Sequence, residues 1–133
     1  MELFVSRKIK IASSPIHGLG VFATAGISAG ELIEECPFLD LGLKPTDQSS
    51  LLLDYRFNYP SGPMTDETKQ VIVLGAGSIY NHSNNPSAYW VSDEIRRTFK
   101  FFAIRNILAG EEIFTYYGGP EYWKDGRTNI EIK

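Results

Sequence analysis

Residues 75–88 read GAGSIYNHSNNPSA, and no other stretch restricts the fold as tightly. Gly75, Gly77 and the Asn84-Asn85-Pro86 run are turn and breaker residues, so the stretch cannot be regular structure throughout. Yet Ile79 and Tyr80 stand at its centre, and strongly apolar runs flank it. A loop with apolar anchors runs inside or against the core, where its backbone N–H and C=O groups need partners. The Asn81 amide both donates and accepts, and the His82 imidazole does one or both. Asn81-His82-Ser83 is therefore read as a polar knot at the floor of a site. The plainer alternative is that Asn81 and His82 only satisfy the backbone of their own loop.

The size of the chain suits one domain around a single core: 133 residues, 43% of them hydrophobic. Aromatic residues are plentiful, and aromatic clusters line concave ligand sites as well as cores. A net charge of -3 argues against a nucleic-acid binder working through a broad basic face. It is compatible with a basic partner such as a lysine-rich peptide. Cys36 is the single cysteine, so no disulfide can form within the chain, and a reducing, intracellular compartment is the easier assumption. One cysteine and two histidines, His17 and His82, argue against a structural zinc site, and no metal is expected. The opening MELFVSRKIKIASS has charges interrupting its apolar residues; it reads as neither signal peptide nor membrane span.

Taken in order, residues 3–12 end in an alternation of Ile9 and Ile11 against Lys8 and Lys10, a strand with one wet face. Ser13-Ser14-Pro15 breaks it. His17-Gly18-Leu19-Gly20 follows, with two glycines that permit a tight turn and a close ligand approach. It lacks the third glycine and the helix of a dinucleotide fingerprint, and it is equally a plain turn. Residues 31–38 read as a strand and 39–45 as loop. Thr46 or Asp47 can cap a short helix to Asp54 or Tyr55. Tyr55, Phe57 and Tyr59 form either an edge-strand stripe or the wall of an aromatic pocket. Residues 59–66 are a surface turn, and 70–74 are a short strand feeding the central loop. Residues 88–91 and 98–104 form a hairpin, and 111–117 are the last strand. No repeat, low-complexity segment or linker is apparent, and the chain reads as mainly β.

Three blocks in this order then carry a likeness: HGLGVFA at 17–23, YNHSNNPSA at 80–88 and GEEIFTYYG at 110–118. Together they resemble the SET domain of protein lysine methyltransferases over roughly 14–123, most closely the minimal viral members, with some bacterial members also small. The resemblance implies a fold of small curled β-sheets with little helix and a C-terminal pseudoknot. It implies a single SET domain over 1–133, with a core at about 14–119 and a flanking segment at 120–133. The implied cofactor is S-adenosylmethionine. The implied substrate is a lysine side chain in a protein with a basic tail, histone H3 foremost, with no direct nucleic-acid or membrane partner. Cofactor and substrate would enter from opposite faces and meet in a narrow channel.

By the same resemblance, Tyr117 is the catalytic tyrosine. His17, Gly18, Leu19, Gly20, Tyr80, Asn81, His82, Tyr117 and Trp123 would bind the cofactor, Trp123 by stacking on the adenine. Tyr55, Ile79, Thr115 and Tyr122 would line the lysine channel. Such chemistry asks mainly for positioning, and well-oriented reactants gain roughly 7–11 kcal/mol over free encounter. The lysine must first lose a proton from a pKa of about 10.4. A dry channel and a nearby sulfonium both favour the neutral amine, so no dedicated base is required. Glu111 and Glu112 are neighbours in a strand and point to opposite faces; both are read as structural.

The chain departs from the family in several ways, among them one more residue than expected between Gly118 and Tyr122. It has no flanking cysteine cluster, so Tyr122 and Trp123, or a second copy of the chain, would complete the channel. Ser87 stands where Asn is usual, and Thr115 where Phe or Tyr is frequent, which leaves the degree of methylation open. Exposed aromatics make a homodimer plausible. Were the chain viral, the expected location is the host nucleus. A catalytically silent SET-like adaptor for peptide or cofactor is the alternative function.

Overall fold

The computed structural model describes residues 2–45 and 55–117. Among them are ten short strands and no α-helix: β1 (Ile9–Ser13), β2 (Leu19–Ala23), β3 (Leu32–Cys36), β4 (Phe38–Leu43), β5 (Arg56–Tyr59), β6 (Lys69–Val73), β7 (Asn81–His82), β8 (Ala88–Asp93), β9 (Thr98–Ala103) and β10 (Glu112–Thr115). They form three small sheets, ordered β1-β2-β10-β7, β3-β9-β8 and β4-β6-β5. The short helix read over 46–55 lies outside the described residues, apart from Tyr55.

Burial follows position within each sheet. The inner strands bury alternate apolar residues: Val21 and Ala23 on β2, Val71 and Val73 on β6, Phe99, Phe101 and Ala103 on β9. β1 is an edge strand, so Ile11 stays exposed despite the alternation that predicts a dry face for it. Pro37 explains a switch of sheets. It cannot donate to a ladder, and the chain leaves β9 after Cys36 to pair with β6 from Phe38 onward. The loop expected over 39–45 is thus a strand as far as Leu43. Asp40 and the positive φ of Gly42 look like turn chemistry, but they sit at a bulge in the β4–β6 ladder.

The structure also corrects the reading that no repeat exists. Phe22-Ala23 recurs as Phe102-Ala103, Ile27 as Ile107, Ala29-Gly30-Glu31 as Ala109-Gly110-Glu111, and Ile33 as Ile113. The hydrogen bonds recur in the same way. Ile27 N–H donates to Ile107 O (2.9 Å), and Ile107 N–H donates back to Ile27 O (2.8 Å). Gly30 N–H meets Ala103 O and Gly110 N–H meets Ala23 O, each at 2.8 Å. Ala103 N–H reaches Glu31 O, and Ala23 N–H reaches Glu111 O. Both turn glycines have φ near +90°, at 83° and 92°, where any side chain would be strained. Each copy is a hairpin, this turn and a third strand. The third strands are exchanged: β3 pairs with β9 of the second copy, and β10 pairs with β2 of the first.

One addition breaks this symmetry. β10 also pairs in parallel with β7, Phe114 against Asn81 and Thr115 against His82. The loop beyond β7 then bonds along β10, with Ser83 N–H on Thr115 O and Ser87 N–H on Phe114 O. The loop at 75–88 is therefore held between the last described strand and the core, as its apolar centre requires. Tyr80 is nearly inaccessible and stacks on Phe101 with ring centroids 4.7 Å apart.

Candidate active site

Two cavities meet around the loop. The first, about 210 Å³, is lined by His17, Gly18, Leu19, Tyr55, Ser78, Ile79, Asn81 and Tyr117. The second, about 40 Å³, is bounded by Tyr55, Arg56, Phe57, Gly77, Ser78, Tyr80, Trp90 and Tyr117. They share Tyr55, Ser78 and Tyr117. Seven of the residues read from the sequence as site residues thus line the first cavity. Tyr55, Phe57 and Tyr59 divide: Tyr55 and Phe57 line a cavity, and Tyr59 is buried against Phe38 and Phe99.

Asn81 ties the first cavity together. It is almost wholly buried, and its Nδ2 donates to His17 O (3.1 Å), Leu19 O (3.1 Å) and Glu112 Oε2 (2.8 Å). Three acceptors around one –NH2 fix which way the amide faces. Its Oδ1 takes no hydrogen bond among the described residues and remains an acceptor at the cavity wall. The turn before it is braced from within: Ser14 N–H donates to Gly18 O, and Ser14 Oγ accepts from Ile16 N–H. Gly18 has φ +48°, and the space beside its Cα is open.

Tyr117 is fixed from both ends. Its backbone N–H donates to His82 Nδ1 at 2.8 Å, and its hydroxyl donates to the Tyr80 carbonyl. Because Nδ1 accepts, the neutral His82 ring carries its proton on Nε2, which donates to Asn84 Oδ1 at 2.9 Å. Burial holds the His82 pKa below its ordinary value, although the bond to Asn84 pulls the other way. The Tyr117 oxygen, having spent its proton on Tyr80, presents lone pairs to whatever lies between the two cavities.

Tyr80 is braced in turn by Glu34. Its phenol donates to Glu34 Oε1 at 2.7 Å, and Ala76 N–H approaches Oε2 at 3.3 Å. Burial raises the Glu34 pKa, and burial followed by the Glu34 charge pushes Tyr80 well up, so this phenol stays protonated. The neighbouring Glu35 has the opposite fate. The Arg96 guanidinium, at 2.5 and 3.0 Å, is the main cause that holds its carboxyl down to about 2.

The other sequence-predicted residues either do not line the first cavity or lie outside the described residues. Gly20 lies in β2 opposite Ala12, where a Cβ would come within 2.3 Å of Glu112 Oε2. His82 and Thr115 are paired in the β7–β10 ladder itself, are buried there and line neither cavity. Tyr80 borders only the smaller one. Tyr122 and Trp123 lie outside the described residues. Sequence reasoning did not single out Glu34, Ser14 or Ser78 and read Glu112 only as structural. Two adjacent carboxylates inside the short LIEEC strand, which must point to opposite faces, are the one signal for the first.

The residues fit the amino-acid end of S-adenosylmethionine: Asn81 Oδ1 is an unengaged acceptor for an ammonium, beside an open glycine turn. Small sheets with exchanged third strands, an Asn-His pair on a parallel two-residue strand and a tyrosine wedged between two cavities define the class. The chain belongs to the SET-domain family, whose model matches residues 18–118. Its homology to histone-lysine methyltransferases makes it a protein-lysine methyltransferase by class. A fission-yeast (Schizosaccharomyces pombe) histone-lysine N-methyltransferase, H3 lysine-37 specific, is 29% identical over 120 residues, covering 88% of this chain and 78% of that protein. Human histone-lysine N-methyltransferase 2B is 28% identical over 120 residues, 84% of this chain but 4% of the human protein. The crystal structure of a candidate histone methyltransferase of Plasmodium falciparum superposes with a TM-score of 0.68 at 32% identity, covering 86% of this chain and 96% of that one.

Proposed function

We propose that this chain transfers methyl groups from S-adenosylmethionine to the side-chain amine of a lysine in a histone H3 tail. The observation that carries the reading is the pair of cavities that share Tyr55, Ser78 and Tyr117 as a common wall. Such a wall suits a donor on one side and an acceptor on the other, with contact only across it. S-adenosylmethionine supplies, when bound, a methyl group on a positive sulfonium. The chain's own part is placement and exclusion of water. Asn81 Oδ1 accepts from the ammonium end, and the 14–18 turn shapes the cavity. Tyr55, Phe57 and Trp90 surround the amine's alkyl stem with apolar surface, which favours the uncharged amine. The Tyr117 oxygen accepts a hydrogen bond from that amine and so aims its lone pair.

Relatives described as histone-lysine methyltransferases, one of them H3-specific, support a histone substrate. The net charge of -3 is compatible with a basic tail. Radiolabelled methyl transfer to core histones and to an H3 peptide tests the reading. Wild-type protein should label H3, and Tyr117→Phe should lose activity by about 100-fold or more, as expected when the group that aims the amine is removed. Binding of S-adenosylmethionine with no transfer to any protein would replace this reading with a silent adaptor.

A further inference from the structure

Glu112 stands behind Asn81 and lines neither cavity, yet three elements converge on it. Its Oε2 accepts from Asn81 Nδ2 at 2.8 Å. Both its oxygens accept from Ser14 Oγ, at 2.8 and 3.0 Å. The same Ser14 Oγ receives Ile16 N–H at 3.0 Å, so the carboxylate is bonded through one hydroxyl to the turn that shapes the first cavity. Space for it exists because position 20 is glycine. The corresponding positions of the other copy are Leu32 and Lys100. There an apolar side chain lies beside Phe4 and Val5, and nothing analogous is held.

A carboxylate can only accept. It forbids the orientation of Asn81 that would turn Oδ1 toward it, and it rewards the one that turns Nδ2 toward it. The two backbone carbonyls, His17 O and Leu19 O, make the same demand, and Glu112 adds charge to it. We infer that Glu112 is a positioning residue: acting through Asn81, it presents Oδ1 to the ammonium of the methyl donor, and so selects ligands that carry an amino-acid end. This rests on the proposed use of S-adenosylmethionine and adds to it a residue that never touches the ligand.

Glu112→Gln is the sharpest variant. It keeps the shape, but its amide can donate as well as accept, so the constraint on Asn81 is relaxed. The measurement is affinity for two ligands, by calorimetry and competition. One is S-adenosylmethionine; the other is 5′-methylthioadenosine, which keeps the nucleoside and sulfur but has no amino-acid end. Glu112→Gln should weaken S-adenosylmethionine about tenfold, or about 1.4 kcal/mol, and leave 5′-methylthioadenosine within about twofold. Gly20→Ala, which drives a methyl group into the seat of Glu112, should reproduce that pattern by an independent route. Equal weakening of both ligands would reduce Glu112 to a structural residue, and no weakening of either would overturn the inference outright. Wild-type protein that binds neither ligand would bring down the proposed function as well, which separates the two failures.

Discussion

The two copies of the exchanged repeat share a backbone and differ in what they hold. In the first copy, β3 ends in Glu34, Glu35 and Cys36, and its polar groups are spent inward: Glu35 on Arg96 and Thr98, Glu34 on Tyr80. In the second, β10 gains β7 as a parallel neighbour, and Glu112, Thr115 and Tyr117 are spent on Asn81, Ser83 and His82. Ile33 and Ile113, at equivalent places, are both buried to within 2%. The frame is common property, and the candidate chemistry sits in the departures from it.

Truncation of the frame should cost most. Ile33→Ala and Ile113→Ala should each lower unfolding free energy by about 2–5 kcal/mol in denaturant titrations. A large loss in only one copy would break the claim that the frame is shared. Next comes the first copy's acid sensitivity. The Glu35 carboxyl is held down to about 2, so its contribution is complete above the ordinary carboxylate pKa and is lost as pH falls through the folded value. Stability of the wild type should therefore decline between about pH 4.5 and 2, and Glu35→Gln should flatten that limb. Glu34, shifted upward by burial, pulls in the opposite direction.

A smaller effect isolates the second copy. Asn81→Ala should weaken S-adenosylmethionine by at least about tenfold, roughly 1.4 kcal/mol, in calorimetry. Unchanged affinity would remove Asn81 from the site. Smallest is the titration of His82, whose pKa is lowered by burial. The unfolded chain binds its proton more readily, so stability is complete above the ordinary histidine pKa and declines as pH falls toward the folded value. The same proton would occupy Nδ1 and displace the Tyr117 N–H, so the ring signals of residues 82 and 117 should shift together in an NMR titration.

Much of this was legible in the residues. The central loop's mixture of breakers and apolar anchors placed it against the core, and three ordered blocks led to the family. The apolar runs at 88–91 and 98–104 were readable as the two strands of a hairpin, which are β8 and β9. The repeat escaped notice because Ser28 against Leu108 and Leu32 against Glu112 interrupt its identities. β4 looked like a loop because its pairing comes from β6, and Gly42 and Asp40 carry turn chemistry. Glu112 passed for a structural residue because its partners, Ser14 and Asn81, are distant along the chain. No local pattern reports a contact whose two ends are 98 positions apart.

Exchange of the third strands has a consequence for how such a protein comes into being. Neither hairpin can complete its sheet from its own segment, because β3 waits for β9 and β2 waits for β10. During synthesis, everything up to the first copy must idle with an unpaired edge until the second has emerged. Contacts of this reach slow folding. They also mean that a chain cut within residues 60–66, between the copies, would consist of two pieces, each wearing the other's missing strand, and neither could walk away without dismantling both.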